Sequence, residues 1–263
     1  MPTTFAHDLF GKNVYKKLPA DMRQLIKEHG ELYRIGLHGP DILFYYGFGK
    51  NRVNQFGVRL HAQTAAPFFE KGAALACEDD ALLAYLLGFV CHFVLDSVCH
   101  PYIDGTVVKE VSHGEIEKEL DRRLMVKAGL NPYRYYPAVR CIRPSRENAR
   151  VIQKVFPEIT VCQIESALRN MIFITNTMVY DDNGRKQKVI LPFLKLMGQY
   201  EHVGGNYMKA ACDPRCHPYL EELEKLFAQA EEEAAQMLQD FWRVAREEED
   251  LPDRFERNYN SHS

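Results

Sequence analysis

The chain predicts an all-α fold, and three observations carry that expectation. Apolar residues recur at helical spacing through most of the 263 residues. No convincing run of alternating β-branched residues is bounded by hairpin turns. Gly, Pro and Asn signals punctuate the periodic segments, at Gly30, Gly49, Asn131-Pro132 and Asp182-Asn183-Gly184.

Taken in order, the periodicity places helices at about 19–30, 52–76, 79–98, 112–128, 145–156, 160–178 and 214–248. Gly30 closes the first, and Gly49 precedes the second. The third is apolar almost throughout. Between the fourth and fifth, residues 131–144 are rich in Tyr, Arg and Pro, do not hold a helical period and read as a loop. The last helix carries Glu231-Glu232-Glu233 and Glu247-Glu248-Glu249 on a solvated face, and the stretch after Pro252 reads as a frayed polar tail. No repeat of fixed period is visible. The length suits one domain over 1–263, in which 2–125 carries the candidate ligands described below and 126–263 is helical elaboration and polar tail.

Composition narrows the function classes. With 46% hydrophobic and 26% charged residues the chain can bury a sizeable core and has no disordered or collagen-like bias. A net charge of −3 and a pI near 6.4 argue against a dedicated nucleic-acid partner held by a broad basic face. The N-terminus, Met1-Pro2-Thr3-Thr4-Phe5-Ala6-His7-Asp8, lacks a basic region followed by an apolar one. No apolar run is expected to reach bilayer-spanning length, so the expectation is a cytoplasmic protein without stable membrane insertion. Seven cysteines, an odd number scattered through apolar segments, read as reduced and mostly buried thiols. Cys212 and Cys216 beside His217 are spaced for a small metal or redox site but lack a second ligand pair.

The most informative stretch is Gly88-Phe89-Val90-Cys91-His92-Phe93-Val94-Leu95-Asp96-Ser97-Val98-Cys99-His100-Pro101, where His, Asp and His recur at intervals of four. That interval places all three on one helix face. Each step advances about 6 Å, so His92 and Asp96 can share one metal, His100 about 12 Å from His92 must serve another, and Asp96 between them could bridge two ions. Two imidazoles and a carboxylate among Phe, Val, Leu and Cys are costly to bury unless their polar atoms are satisfied. A metal satisfies all three at once. The plainer alternative is a polar core network without metal. A second pair follows, His113 and Glu117, one turn apart and able to close on one zinc. Such pairs are also common on solvated helices. Upstream candidates are His7, Asp41 in Gly39-Pro40-Asp41, and His61.

The ordered series His7, Asp41, His61, then His92-x3-Asp96, His100, then His113-x3-Glu117 resembles the zinc-dependent phospholipase C family and its relatives, the single-strand-specific zinc nucleases. The resemblance covers roughly residues 2–125. It implies two or three Zn2+ ions: the first on Asp41, His61, His92 and Asp96, the second on His100, His113 and Glu117. A third would sit on His7 and Asp96 with the amino group and carbonyl of Pro2, exposed by removal of Met1. It further implies a phosphate-ester substrate, a phospholipid among the candidates, attacked by a metal-activated water whose proton Asp41 accepts or orients. A nuclease or nucleotidase using the same zincs, or a domain that keeps zinc only for stability, are the alternatives.

The chain departs from the secreted phospholipases. Ile42 and Val58 stand where the phosphatidylcholine enzyme has aromatic residues at its choline site, the secretion signal and a β-rich C-terminal module are missing, and His100 follows Asp96 more closely. Phe44-Tyr45-Tyr46-Gly47-Phe48 could line an apolar lip or pack in the core, and Arg134, Arg140 and Arg143 could meet a distal phosphate or stay solvated. His38, three residues before Asp41, is a candidate to orient a ligand. His29, His202, His217 and His262 carry no assignment.

Overall fold

In a computed structural model of the chain, the described residues are 4–47, 49–106, 111–179, 185–196, 208, 212–247 and 249–260. Every regular element among them is helical, so the expected all-α class holds. In chain order these are α1 (Thr4–Lys17), α2 (Ala20–Glu28), α3 (Gly30–Gly36), a 3-10 segment at Gly39–Tyr45, α4 (Arg52–Ala62), α5 (Ala66–Ala76) and α6 (Asp80–Thr106). They continue as α7 (His113–Lys127), α8 (Pro137–Cys141), α9 (Arg146–Gln153), α10 (Val161–Val179), α11 (Arg185–Leu196) and α12 (His217–Glu247). Short 3-10 turns at Pro214–Cys216 and Asp253–Phe255 flank the last helix.

The architecture is organised around α6. Its residues Leu82 to Leu95 are almost entirely inaccessible to solvent, and each fully buried Leu, Val or Phe there contributes roughly 1.5–3 kcal/mol. By length and composition α6 could cross a membrane, which corrects the expectation that no apolar run is long enough. Nearly all of it is instead buried inside the protein, as the core helix. Against it pack α3 and the amphipathic α12, with α1 and α5 alongside. The α3 contact is backbone against backbone: a Cβ on Gly36 would lie 2.1 Å from the Tyr85 carbonyl oxygen, and one on Gly88 2.1 Å from that of Tyr33.

Boundaries moved where local chemistry outweighs periodicity. The expected helix 52–76 is two helices, because Pro67 is suited to a helix N-terminus and α5 restarts at Ala66. The expected 79–98 runs on to Thr106, through Pro101, whose missing N–H removes one backbone bond without ending the helix. Helices α1, α3, α8 and α11 lie outside the sequence-derived list. The stretch after Pro252 is a larger correction: Phe255 is fully buried against Phe69, Phe93 and Phe241, and Tyr259 is buried as well.

Candidate metal centre

Three elements converge on the first half of the site. From α6, His92 and Asp96 project one turn apart, with Nε2 3.2 Å from Oδ2. The 3-10 segment supplies Asp41, and α4 supplies His61, whose Nε2 lies 2.9 Å from Asp41 Oδ1. The His92 Nε2 is 3.9 Å from Asp41 Oδ2. Gly39 makes this approach feasible: its φ is +47°, and a Cβ there would sit 2.2 Å from the His92 ring. The His61 Nδ1–H donates to the Gly57 carbonyl at 2.9 Å, which turns Nε2 toward Asp41.

The second half lies where α6 meets α7. His100 Nε2 and His113 Nε2 are 3.4 and 3.2 Å from the same oxygen of Glu117, Oε1. Ser112 caps α7 by accepting from the Glu115 N–H while the Glu115 side chain accepts from the Ser112 N–H, and this box starts the helix where His113 and Glu117 face α6. His113 Nδ1–H donates to Asp104 Oδ1 at 2.7 Å, and His100 Nδ1–H donates to Asn260 Oδ1 at 3.2 Å.

Asp96 lies between the halves. Its Oδ2 faces His92, while its Oδ1 is 3.6 Å from His100 Nε2 and 3.4 Å from His7 Nε2. His7 comes from α1, whose first turn is tied to α7 because the Ala6 N–H donates to Asp121 Oδ1 at 2.8 Å. Pro2, the remaining expected ligand, lies outside the described residues. Asp96 and the other seven expected site residues are thus brought together in one cluster.

The donor set fits divalent cations. Asp41, His61, His92 and Asp96 form one group, and His100, His113 and Glu117 another, within each of which one ligand atom per residue lies within 4.8 Å of the others. His92 is wholly inaccessible, and its Nε2, although 3.2 Å from Asp96 Oδ2, makes no well-directed hydrogen bond, a costly state that a cation coordinated at Nε2 would relieve. Burial pushes the Asp41 and Asp96 carboxyls up, but the surrounding imidazoles overcome it and hold both below the usual carboxylate range. Burial likewise opposes a charge on His100, and the Asp96 and Glu117 carboxylates overcome it, raising that imidazole to about 9. For His92 burial wins and the ring is pushed down to about 4. The carboxylates therefore gather negative charge that only cations, whether protons or metals, can balance.

The model of the family described as zinc dependent phospholipase C matches residues 3–171. The chain belongs to the zinc-dependent phospholipase C family. The family match takes in every described ligand candidate and extends past the 2–125 span that the motifs marked, into α10. No curated protein and no solved structure matches the chain.

Other sequence candidates fall around this family's site in differing ways. Phe44 stacks on the His61 ring at 5.2 Å, Tyr45 is buried, Tyr46 is half-buried, and Phe48 lies outside the described residues. Ile42 is fully buried and Val58 exposed, and neither aliphatic side chain supplies an aromatic wall. Arg134, Arg140 and Arg143 are exposed, and Arg140 sits over the Tyr135 ring at 4.7 Å. The His38 ring meets Cys141 Sγ at 3.4 Å and the edge of the His7 ring, so it backs His7, while the His38 carbonyl accepts from the Asp41 N–H at 3.0 Å. All seven cysteines are free thiols. The Cys212 thiol contacts His217 Nε2 at 2.8 Å while Cys216 is buried in the core, so the two cysteines do not make one site. His29 lies between α2 and α3, and His202 and His262 lie outside the described residues.

Sequence reasoning missed Asp104, Asp121, Tyr259 and Asn260. Asp104 carries a signal, since it extends the interval of four through 92, 96, 100 and 104, but it lies past the helix end expected at 98. Asp121 likewise extends the stripe of His113 and Glu117. Tyr259 and Asn260 had no local signal.

Proposed function

We propose that the chain is a phosphoric ester hydrolase, a phospholipase C-like phosphodiesterase whose zinc ions are held by Asp41, His61, His92 and Asp96 and by His100, His113 and Glu117. His7 and Asp96 would hold a third ion together with the Pro2 amine. The observation that carries this reading is the placement of Asp96, whose two oxygens face different groups of imidazoles. A carboxylate so placed suits adjacent ions. When bound, such ions supply a nucleophile near neutral pH and offset charge on phosphoryl oxygens.

The remaining work falls to the chain. Asp41 is the proposed proton acceptor: it is buried, ionised and oriented by His61, and it stands at the edge of the first group. Burial keeps bulk water from the carboxylates and strengthens their interactions with the imidazoles. His113 is the most exposed ligand candidate, with 29% of its side chain accessible, so substrate is proposed to approach from the second group. The chain is proposed to act as one domain, supported by the packing of α12 along both α6 and α1.

Hydrolysis of bis-p-nitrophenyl phosphate, short-chain phosphatidylcholine and single-stranded DNA, before and after chelation and zinc return, tests the proposal. Zinc-restored activity on the small diester or the lipid is expected. Activity on DNA alone would replace the phospholipase reading with a nuclease, and zinc binding without turnover of any substrate would leave a structural zinc domain.

A further inference from the structure

The segment from Asp253 to Asn260 lies beyond the 3–171 family match, yet it reaches the metal centre. It is anchored at several points before it gets there. Phe255 enters the core beside Phe69, with ring centroids 5.0 Å apart. The Arg257 carbonyl accepts from the Ala65 N–H at 3.0 Å, while its guanidinium meets Glu233 Oε1 at 2.5 Å. The Asn258 side chain then accepts from the Asn260 N–H at 2.8 Å, which turns the backbone so that Asn260 faces α6.

At the end of this path two side chains meet separate halves of the centre. The Tyr259 ring lies 4.8 Å from that of His61 and 5.7 Å from that of His92. Asn260 Oδ1 accepts from His100 Nδ1–H at 3.2 Å. An imidazole whose Nδ1 carries the proton presents Nε2 as its lone-pair donor, and Nε2 of His100 is the atom facing Asp96 and Glu117. Each imidazole outside the deepest part of the core has such a partner: a carbonyl for His61, a carboxylate for His113, and this amide for His100.

We infer that the C-terminal segment completes the metal centre, with Asn260 as a positioning residue that fixes the tautomer and ring orientation of His100, and Tyr259 as a wall against His61 and His92. The inference rests on the proposal that His100, His113 and Glu117 hold an ion.

The test uses the full chain with Asn260→Leu, which removes the acceptor at similar volume, and Asn260→Asp, which keeps one. Thermal melting of the chelated proteins first establishes that both variants fold. Zinc affinity by chelator competition, and the ligand-field spectrum of the cobalt-substituted protein, are then measured. Asn260→Leu is expected to weaken one ion about 10–100-fold and shift its cobalt bands while sparing the other ion, whereas Asn260→Asp binds both at least as well as the parent. Tyr259→Leu should perturb the bands of the other ion. Parent-like affinity and spectrum in Asn260→Leu would overturn the inference alone, and so would equal losses in the Leu and Asp variants. A parent chain that binds fewer than two ions would overturn the reading of the second group, and the inference with it.

Discussion

The two ligand groups share helix α6 but are held by different kinds of structure. Asp41, His61, His92 and Asp96 sit where the 3-10 segment and α4 close over the core, and His92 has no accessible surface. His100, His113 and Glu117 sit at the junction of α6 and α7, where the Asp104 that steadies His113 is itself 52% exposed. Core packing constrains the first group, so ion binding there should require little ordering. The second depends on helix ends and on hydrogen bonds at the surface, which are individually weak and can adjust. A preformed site should bind tightly and contribute to folding, and an adjustable one should exchange its ion and accommodate substrate.

Asp96→Asn should have the largest effect, because it removes the carboxylate that both groups use. Activity should fall at least about 100-fold, both ions should weaken, and the zinc-loaded protein should lose about 3–5 kcal/mol in denaturant unfolding. Retention of both ions would remove the shared role. Gly39→Ala should come next, at about 1–3 kcal/mol, since it combines an unfavourable positive φ with a clash against the His92 ring. Metal analysis of that variant should show the first group's ion weakened and the second's intact, and the reverse pattern would break the comparison.

Glu117→Gln is expected to release one ion while costing the chelated protein only about 1 kcal/mol. A melting-temperature loss equal to that of Asp96→Asn would mean that the groups are held alike. The smallest effect is on pH dependence. The folded, chelated protein raises His100 from 6.5 to about 9, so its stabilising contribution is fully present below pH 6.5 and is lost as pH rises through about 9. Zinc requires neutral imidazoles, so its stabilisation grows in the same direction. The gap in melting temperature between zinc-loaded and chelated protein should therefore widen from pH 6 to pH 9, and a gap that narrows would contradict the assignment.

What the sequence revealed and what it hid follow from the range of the interactions. His92, Asp96 and His100 are legible because a helix repeats every 3.6 residues, and His113 with Glu117 is legible for the same reason. The extension of α6 past Pro101 was not, since a proline inside a helix weakens it locally and tertiary packing decides whether it ends there. Helix α1 is hidden for a different reason: Asp8 and Lys12 pair locally as on any solvated helix, but Asn13 is satisfied by Glu231, 218 residues on, which no local pattern reveals. Tyr259 and Asn260 lie in a polar stretch whose meaning appears only when it folds back on a helix 160 residues earlier.

Whether these side chains hold more than one zinc ion is read out by the zinc content of full-length protein loaded with excess metal and freed of unbound ions. Two or three equivalents per chain are predicted, with one ion released by Glu117→Gln. One equivalent or fewer in the parent protein would contradict the account.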